Sequence, residues 1–250
     1  MLFRSLQESF YGYHMGVTAE NIADRYGISK KEQDQLGVLS HQRAGNAIAG
    51  GFFKDEIVPV AIPQRKGDPV MFDEDERPMD TSMEKMARLR PAFKKDGTVT
   101  AGNASGINDA AAALLIMSDT KAKELGLTPI AKIKATSFAG LDPAYMGLGP
   151  IPAVRKILER TKIAMTDFGA VELNEAFAAQ AIACVRELGC DMEKTNMLGS
   201  GISIGHPIGC TGARILVTLT GQMVREGHDL GLASLCIGGG QGMATILERV

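Results

Sequence analysis

The sequence predicts an α/β protein: a layered, sheet-centred C-terminal half preceded by a long, irregular α+β excursion. Three observations carry this. From about residue 107, strand-like apolar runs (Ala110–Met117, Ile130–Phe138, Ala170–Leu173) alternate with helical patterns (Asp119–Leu125, Ile151–Thr161, Glu175–Leu188), the order of a layered α/β domain. The chain closes on two strand-like runs joined through Gly238-Gly-Gly240, a hairpin pattern. Residues 52–98, by contrast, are charged and weakly periodic, and loops of that length in compact domains are functional or disordered.

In chain order, residues 1–28 read as a short helical lead-in and then a helix from Thr18, with Ala19, Ile22, Ala23 and Tyr26 on one face. Ser29-Lys-Lys-Glu32 is a capping box opening a second helix, stopped near Ile48 by Gly50-Gly51. Gly37 and Gly45 weaken that helix or mark close packing. Ile57–Ile62 is strand-like, and Pro59 confines it to an edge. Asp73–Glu76 reads as a solvated turn and Met83–Leu89 as a short helix. Ala110–Met117 is apolar without alternation, the pattern of a strand buried on both faces. Ser118 caps the next helix, and Gly126 and Gly189 sit just past helix ends.

Composition narrows the function. The 250 residues exceed the marginal core size, hydrophobic content is 45%, and mean hydropathy is +0.01, as in an ordinary soluble globule. A net charge of −2 gives no electrostatic reason to expect nucleic acid. No apolar run reaches the roughly 18 residues of a membrane span, and the first residues lack the pattern of a signal peptide. Cys184, Cys190, Cys210 and Cys236 form no CxxC pair, so neither a zinc site nor a disulfide scaffold is expected, and a reducing, cytoplasmic setting fits.

The stretch Gly199–Gly212 sets five glycines and Pro207 around His206, ahead of an apolar, helix-compatible run from Ala213 to Val224. Glycines allow close backbone approach, Pro207 biases His206 away from helical geometry, and the helix aims its free N–H groups back at the loop. Two further loops carry Asn174-Glu-Ala-Phe177 and Cys236-Ile-Gly-Gly-Gly240, and a fourth small-residue loop spans Thr98–Asp109. An imidazole can take a thiol proton, a thiol can act as base or nucleophile, and Asn with the amides of Gly238–Gly240 can stabilise an oxyanion. Each residue also has a bland reading: His206 as packing, Cys236 as small core filling, Asn174 as a helix N-cap. Dinucleotide, Walker, zinc-protease and nucleophile-elbow motifs are absent; residue 204 is Ile where the dinucleotide pattern needs Gly.

Taken together, Asn174-Glu-Ala-Phe-Ala178, Gly205-His-Pro-Ile-Gly209 with Gly212-Ala-Arg-Ile-Leu216, and Cys236-Ile-Gly-Gly-Gly240 strongly resemble the thiolases, nearest the acetyl-CoA acetyltransferase (acetoacetyl-CoA thiolase) type. Tyr13-His-Met-Gly16, Phe53–Pro59, Leu89-Arg-Pro-Ala-Phe93 and Thr100–Gly106 extend the likeness over essentially the whole chain. The resemblance implies that His206 activates a nucleophilic thiol and Cys236 carries the proton at the α-carbon of the second acetyl-CoA. It further implies that Asn174, through water, shares an oxyanion hole with His206, and that the Gly238 amide forms the other. Ser105, His14, Met15 and Phe93 would meet coenzyme A, and Met146 and Phe177 would line the acyl pocket. The resemblance also implies coenzyme A and acetyl-CoA as substrates, no tightly bound cofactor or metal, and a homo-oligomer.

Two departures from the family pattern stand out. The segment carrying the acyl-accepting cysteine has no match here, so residues 1–106 are expected to be the CoA-binding loop domain and 107–128 the closing segment of an otherwise missing N-terminal half. Residues 129–250 would then be the C-terminal domain, and an N-terminal half or second chain the partner. The basic residue that often follows the acidic loop's proline, facing the CoA 3′-phosphate, is also displaced: here the order is Arg77-Pro78-Met79. The readings left open are an acyltransferase acting on acetoacetyl-CoA, a longer-chain 3-ketoacyl-CoA thiolase portion, a non-catalytic CoA-binding or assembly fragment, and a minor one in which Cys210 or Cys236 is itself the nucleophile.

Overall fold

The computed structural model describes residues 6–250. The part of the expected helical lead-in that falls on residues 1–5 lies outside them, and residues 6–14 are turn and bridge rather than helix. Helix α1 (Met15–Tyr26) starts three residues before Thr18 because the His14 imidazole caps it, Nδ1 accepting from Gly16 N–H at 3.0 Å. Its buried stripe is Ala19, Ile22 and Ala23. The capping box of α2 (Lys30–Ala49) is complete: Ser29 Oγ accepts from Glu32 N–H at 3.3 Å, and the Glu32 carboxylate accepts from Ser29 N–H at 2.8 Å. Gly37 is a packing glycine, since a Cβ there would sit 2.7 Å from the Gly102 carbonyl oxygen; Gly45 faces open space.

The excursion holds a small antiparallel ribbon, β1 (Val60–Ile62) with β2 (Val70–Phe72), and the short helix α3 (Met83–Ala87). β1 begins directly after Pro59, and β2 carried no sequence signal of its own. In the acidic turn Asp73, Glu74 and Glu76 are exposed, while Asp75 is half-buried, which raises its carboxyl pKa.

The C-terminal half is a four-stranded mixed sheet in the order β3-β6-β5-β4. Here β3 is Ala131–Gly140, β4 is Ala170–Leu173, β5 is Leu230–Ile237 and β6 is Gln241–Arg249. β3/β6 and β6/β5 are antiparallel and β5/β4 parallel. α4 (Asp119–Glu124) precedes β3, α5 (Pro150–Thr161) joins β3 to β4, and α6 (Ala178–Leu188) and α7 (Thr211–Glu226) join β4 to β5. α5 covers one face through Ala153, Val154 and Ile157 against Val171, Leu232, Ala244 and Ile246. α7 covers the other through Ile215, Leu219 and Met223 against Ala170, Ala233 and Leu247. Each such fully buried aliphatic side chain contributes about 1.5–3 kcal/mol of transfer free energy. α6 then joins the halves, packing Ala178 and Ala181 against Leu36 of α2 and Ile202. This is the expected layered α/β/α arrangement with an irregular α+β excursion in front of it.

Two expectations are corrected. Helix α6 begins at Ala178, not Glu175, so Asn174–Phe177 stay in extended or loop geometry. Ala110–Met117 forms no strand: among the described residues it pairs with no β-edge, and Leu115 and Ile116 are 82% and 65% exposed. An apolar run becomes a buried strand only where partner strands flank it; here the outer edge of β4 is taken by the bridge from Val171 to Thr195, and the run pairs with neither edge strand of the sheet. Helix α4 follows as expected, Ser118 Oγ accepting from Lys121 N–H.

Candidate active site

β4 and β5 run parallel, so their carboxyl ends open on the same side of the sheet, where ligands of α/β sheets bind. Asn174 leaves β4 there, its N–H donating to the Ser234 carbonyl at 3.0 Å and prolonging the ladder. Cys236 is the second-last residue of β5, and Gly238 lies just beyond it. Cys236 is buried in an apolar cluster with Met146, Phe177, Ala104, Ala19, Val99 and Ala176, and Met15 and Phe93 pack against that cluster. Burial among these side chains pushes the Cys236 thiol up to about 12, so it rests protonated. A Cβ on Gly238 would fall 2.5 Å from Met15 Cε, so this backbone lies directly against the Met15 side chain.

The segment 103–106 is strapped across the start of α6. Ala104 and Phe177 form an antiparallel bridge, Ser105 N–H donates to the Ala176 carbonyl at 3.0 Å, and Ala178 N–H donates to the Asn103 carbonyl at 2.9 Å. The next residue, Gly106, accepts from His206 N–H at 3.2 Å. Ser105 therefore sits between Phe177 and the His206 loop. Phe93 stacks on His14 with ring centroids 4.6 Å apart and meets Phe177 edge-on at 6.1 Å.

Asn174 is wholly buried, and neither its Oδ1 nor its Nδ2 has a hydrogen-bond partner. Leaving such groups unpaired costs about 1–3 kcal/mol each, which a bound water or ligand oxygen would recover. Gly201 lies against it: a Cβ there would be 2.8 Å from Asn174 Oδ1. The backbone beneath is pinned by the buried Glu175 carboxylate, which accepts from Ser40 Oγ at 2.6 Å and from Asn196 Nδ2 at 3.1 Å.

His206 is mostly buried, and desolvation, with the Arg214 guanidinium behind it, lowers its pKa to about 4. It is a neutral imidazole near pH 7, able to accept a proton. Its Nδ1 lies 2.7 Å from Thr211 Oγ1. A groove of about 390 Å³ between Asn108–Ala112 and Pro207–Cys210 runs beside it. A second cleft, of about 250 Å³ among Arg25, Tyr145 and Arg155, shares no residue with this site.

Sequence reasoning missed Thr211, whose spacing from His206 carries no recognised motif, and the role of Arg77. The Arg77 guanidinium donates from Nε to the Ile202 carbonyl at 2.9 Å and from Nη2 to the Ala104 carbonyl at 3.3 Å. It turns inward as a strut between the glycine loop and the Ser105 segment, so its charge is committed to carbonyls rather than a phosphate. Cys210, at the start of α7, has its pKa raised by burial, opposed by the Arg214 charge. All four cysteines are free. Among the described residues no cluster of His, Cys, Asp and Glu could hold a metal ion, and no helix is long and apolar enough to cross a membrane.

Fold and site together define a two-part architecture, the excursion folding over the strand ends of a layered α/β/α half. The chain belongs to the thiolase family: the model for the thiolase N-terminal domain matches residues 1–120 and that for the C-terminal domain residues 127–249. It is similar to an acetyl-CoA acetyltransferase of Syntrophomonas wolfei, 57% identical over all of this chain and 63% of that protein. A probable acetyl-CoA acyltransferase of Staphylococcus aureus is 53% identical over the same shares. Among solved structures, Bacillus anthracis acetyl-CoA acetyltransferase superposes with a TM-score of 0.97 at 50% identity, over all of this chain and 63% of that one. Human mitochondrial 3-ketoacyl-CoA thiolase in complex with CoA gives 0.90 at 39% identity, over 100% and 62%. The chain thus spans a little under two thirds of the length of these relatives. The expectation that only residues 107–128 belong to an otherwise missing N-terminal half is corrected: the N-terminal domain model matches residues 1–120.

Proposed function

We propose that this protein is an acyltransferase of the thiolase type, interconverting acetoacetyl-CoA plus CoA with two molecules of acetyl-CoA. The observation that carries the reading is the unpartnered, buried amide of Asn174 at the same sheet end as the buried thiol of Cys236. In the thiolytic direction, His206 accepts the proton of an acyl-accepting thiol, and the thiolate adds to the 3-keto carbon. The C2–C3 bond breaks with its electron pair going to C2, Cys236 donates its proton there, and acetyl-CoA leaves. The acetyl group now bound as a thioester is transferred to the sulfur of CoA, whose thiol proton returns to Cys236. A water held by Asn174 and His206 would receive one oxyanion and the Gly238 N–H the other. A Cys236 thiol that rests protonated suits a proton donor to carbon.

His14, Met15, Phe93 and Ser105 would line the path of the CoA arm, and Met146 with Phe177 would bound the acyl pocket. The tight side-chain cluster around Cys236 supports a short acyl group. The acyl-accepting thiol is assigned to none of the four cysteines here, since burial raises the pKa of each; it is taken from outside these 250 residues. The reading keeps 1–106 as the CoA-binding loop domain, 107–128 as a closing segment and 129–250 as the catalytic C-terminal domain, in a cytoplasmic homo-oligomer. The test is CoA-dependent cleavage of acetoacetyl-CoA by this chain mixed with a polypeptide carrying the thiol-bearing remainder of the N-terminal domain. Cleavage above either component alone supports the reading. A folded mixture that binds CoA without turnover favours the binding fragment, and preference for longer 3-ketoacyl chains favours the long-chain type.

A further inference from the structure

Thr211 opens α7 and makes two short contacts through one oxygen: Oγ1 is 2.7 Å from His206 Nδ1 and 2.9 Å from the carbonyl oxygen of Pro207. Each separation is that of a hydrogen bond and needs a hydrogen between the heavy atoms. The hydroxyl has only one hydrogen to give. If it pointed at Nδ1, the oxygens of Thr211 and Pro207 would face each other at 2.9 Å with no proton between them. If it points at the Pro207 carbonyl, the contact to the ring must be closed by a hydrogen on Nδ1. The same Pro207 carbonyl accepts the backbone N–H groups of Cys210 at 2.7 Å and Thr211 at 2.9 Å, so the Thr211 hydroxyl joins its own amide on one oxygen.

We propose that Thr211 is a positioning residue that fixes His206 as the Nδ1–H tautomer, leaving the Nε2 lone pair free toward the site. A histidine acting as base through Nε2 needs this tautomer, because a neutral ring protonated on Nε2 can only donate there. The relay from ring to hydroxyl to carbonyl also fixes the ring's rotation, since Thr211 is wholly buried on the first turn of a 16-residue helix. The proposal rests on the reading of His206 as the base, but the proton's position is a separate measurement.

The test is nitrogen NMR of the 250-residue chain labelled with ¹⁵N-histidine, near pH 7. The four histidines are His14, His41, His206 and His228; loss of one signal pair in His206→Asn assigns the ring. The expected result is a protonated, pyrrole-like Nδ1 and an unprotonated, pyridine-like Nε2. Thr211→Val, which removes the acceptor while keeping shape, should move both signals toward the opposite tautomer or a mixture. Thr211→Ser should restore the original pair, with the remaining histidine signals unchanged as the control for folding. A wild-type His206 protonated on Nε2, or a Thr211→Val spectrum unchanged at His206, overturns the proposal. If Thr211→Val does not fold, the wild-type and Thr211→Ser spectra still decide it. Failure of the catalytic reading would appear instead as His206 variants that retain turnover, with the tautomer as predicted.

Discussion

The Arg77 Nε donates to the Ile202 carbonyl at 2.9 Å, so a side chain from the excursion holds the glycine loop that presents His206. Its second bond, to Ala104, ties in the segment carrying Ser105. The planar fork suits two carbonyls at fixed separation; a lysine ammonium cannot reproduce it. Arg77→Lys is therefore expected to cost about 1–3 kcal/mol, read as a lower midpoint in urea unfolding with an unchanged slope. A variant as stable as the parent would remove Arg77 from this role.

Glu172 on β4 and Arg214 on α7 are both buried, with Oε2 to Nη1 at 3.8 Å, and Gln222 Nε2 donates to the other Glu172 oxygen at 2.6 Å. Burial, opposed by Arg214, holds the Glu172 carboxyl at about 7. Replacing Arg214 by Met leaves that carboxylate without its counter-charge, a loss of about 3–5 kcal/mol for a charged, unpaired partner. Below neutrality Glu172 can take up a proton, so the loss should be larger at pH 8 than at pH 6. Adding Glu172→Gln should recover most of it, and a double mutant as unstable as the single would contradict the pairing.

Acid should unfold the protein in a window set by two histidines. Burial lowers both His206 and His41 to about 4, against an ordinary value near 6.5. A folded pKa below the unfolded one means that the unfolded chain binds more protons. The stability each contributes is present above pH 6.5 and is lost as pH falls from 6.5 to 4. Glu172 acts with the opposite sign, its contribution fading as pH rises from about 4.5 through 7. His41→Gln and His206→Asn should each flatten the acid limb by about 1–3 kcal/mol between pH 7 and pH 4. Parallel stability–pH curves for parent and variants would refute this assignment.

Much of the fold was legible because its signals are local. Ser29 with Glu32, Ser118 and Gly189 mark three helix ends through bonds or dihedrals within a few residues, and these ends appear where expected. Residue types picked out Asn174, His206 and Cys236 as candidates, and the fold sets Asn174 and Cys236 at the same end of the parallel β4/β5 pair. Ala110–Met117 was misread because whether an apolar run is buried depends on which edges flank it, and its own residues hold no record of that. Arg77 and Thr211 were invisible in their roles because each acts through backbone carbonyls or ring geometry that exist only once the loops are folded. The start of α6 was misplaced for a related reason: the bridge from Phe177 to Ala104 competes with the helix for those residues.

The most direct measurement is acetoacetyl-CoA cleavage, with the thiol-bearing remainder supplied, for parent, His206→Asn and Cys236→Ser. Losing one positioned proton carrier is expected to lower kcat by about 10²–10⁴. The KM for CoA should stay within about threefold, an order-of-magnitude bound for variants that leave the ground-state contacts intact. Either variant turning over at a rate close to the parent's would contradict the assignment of His206 as base and Cys236 as proton donor.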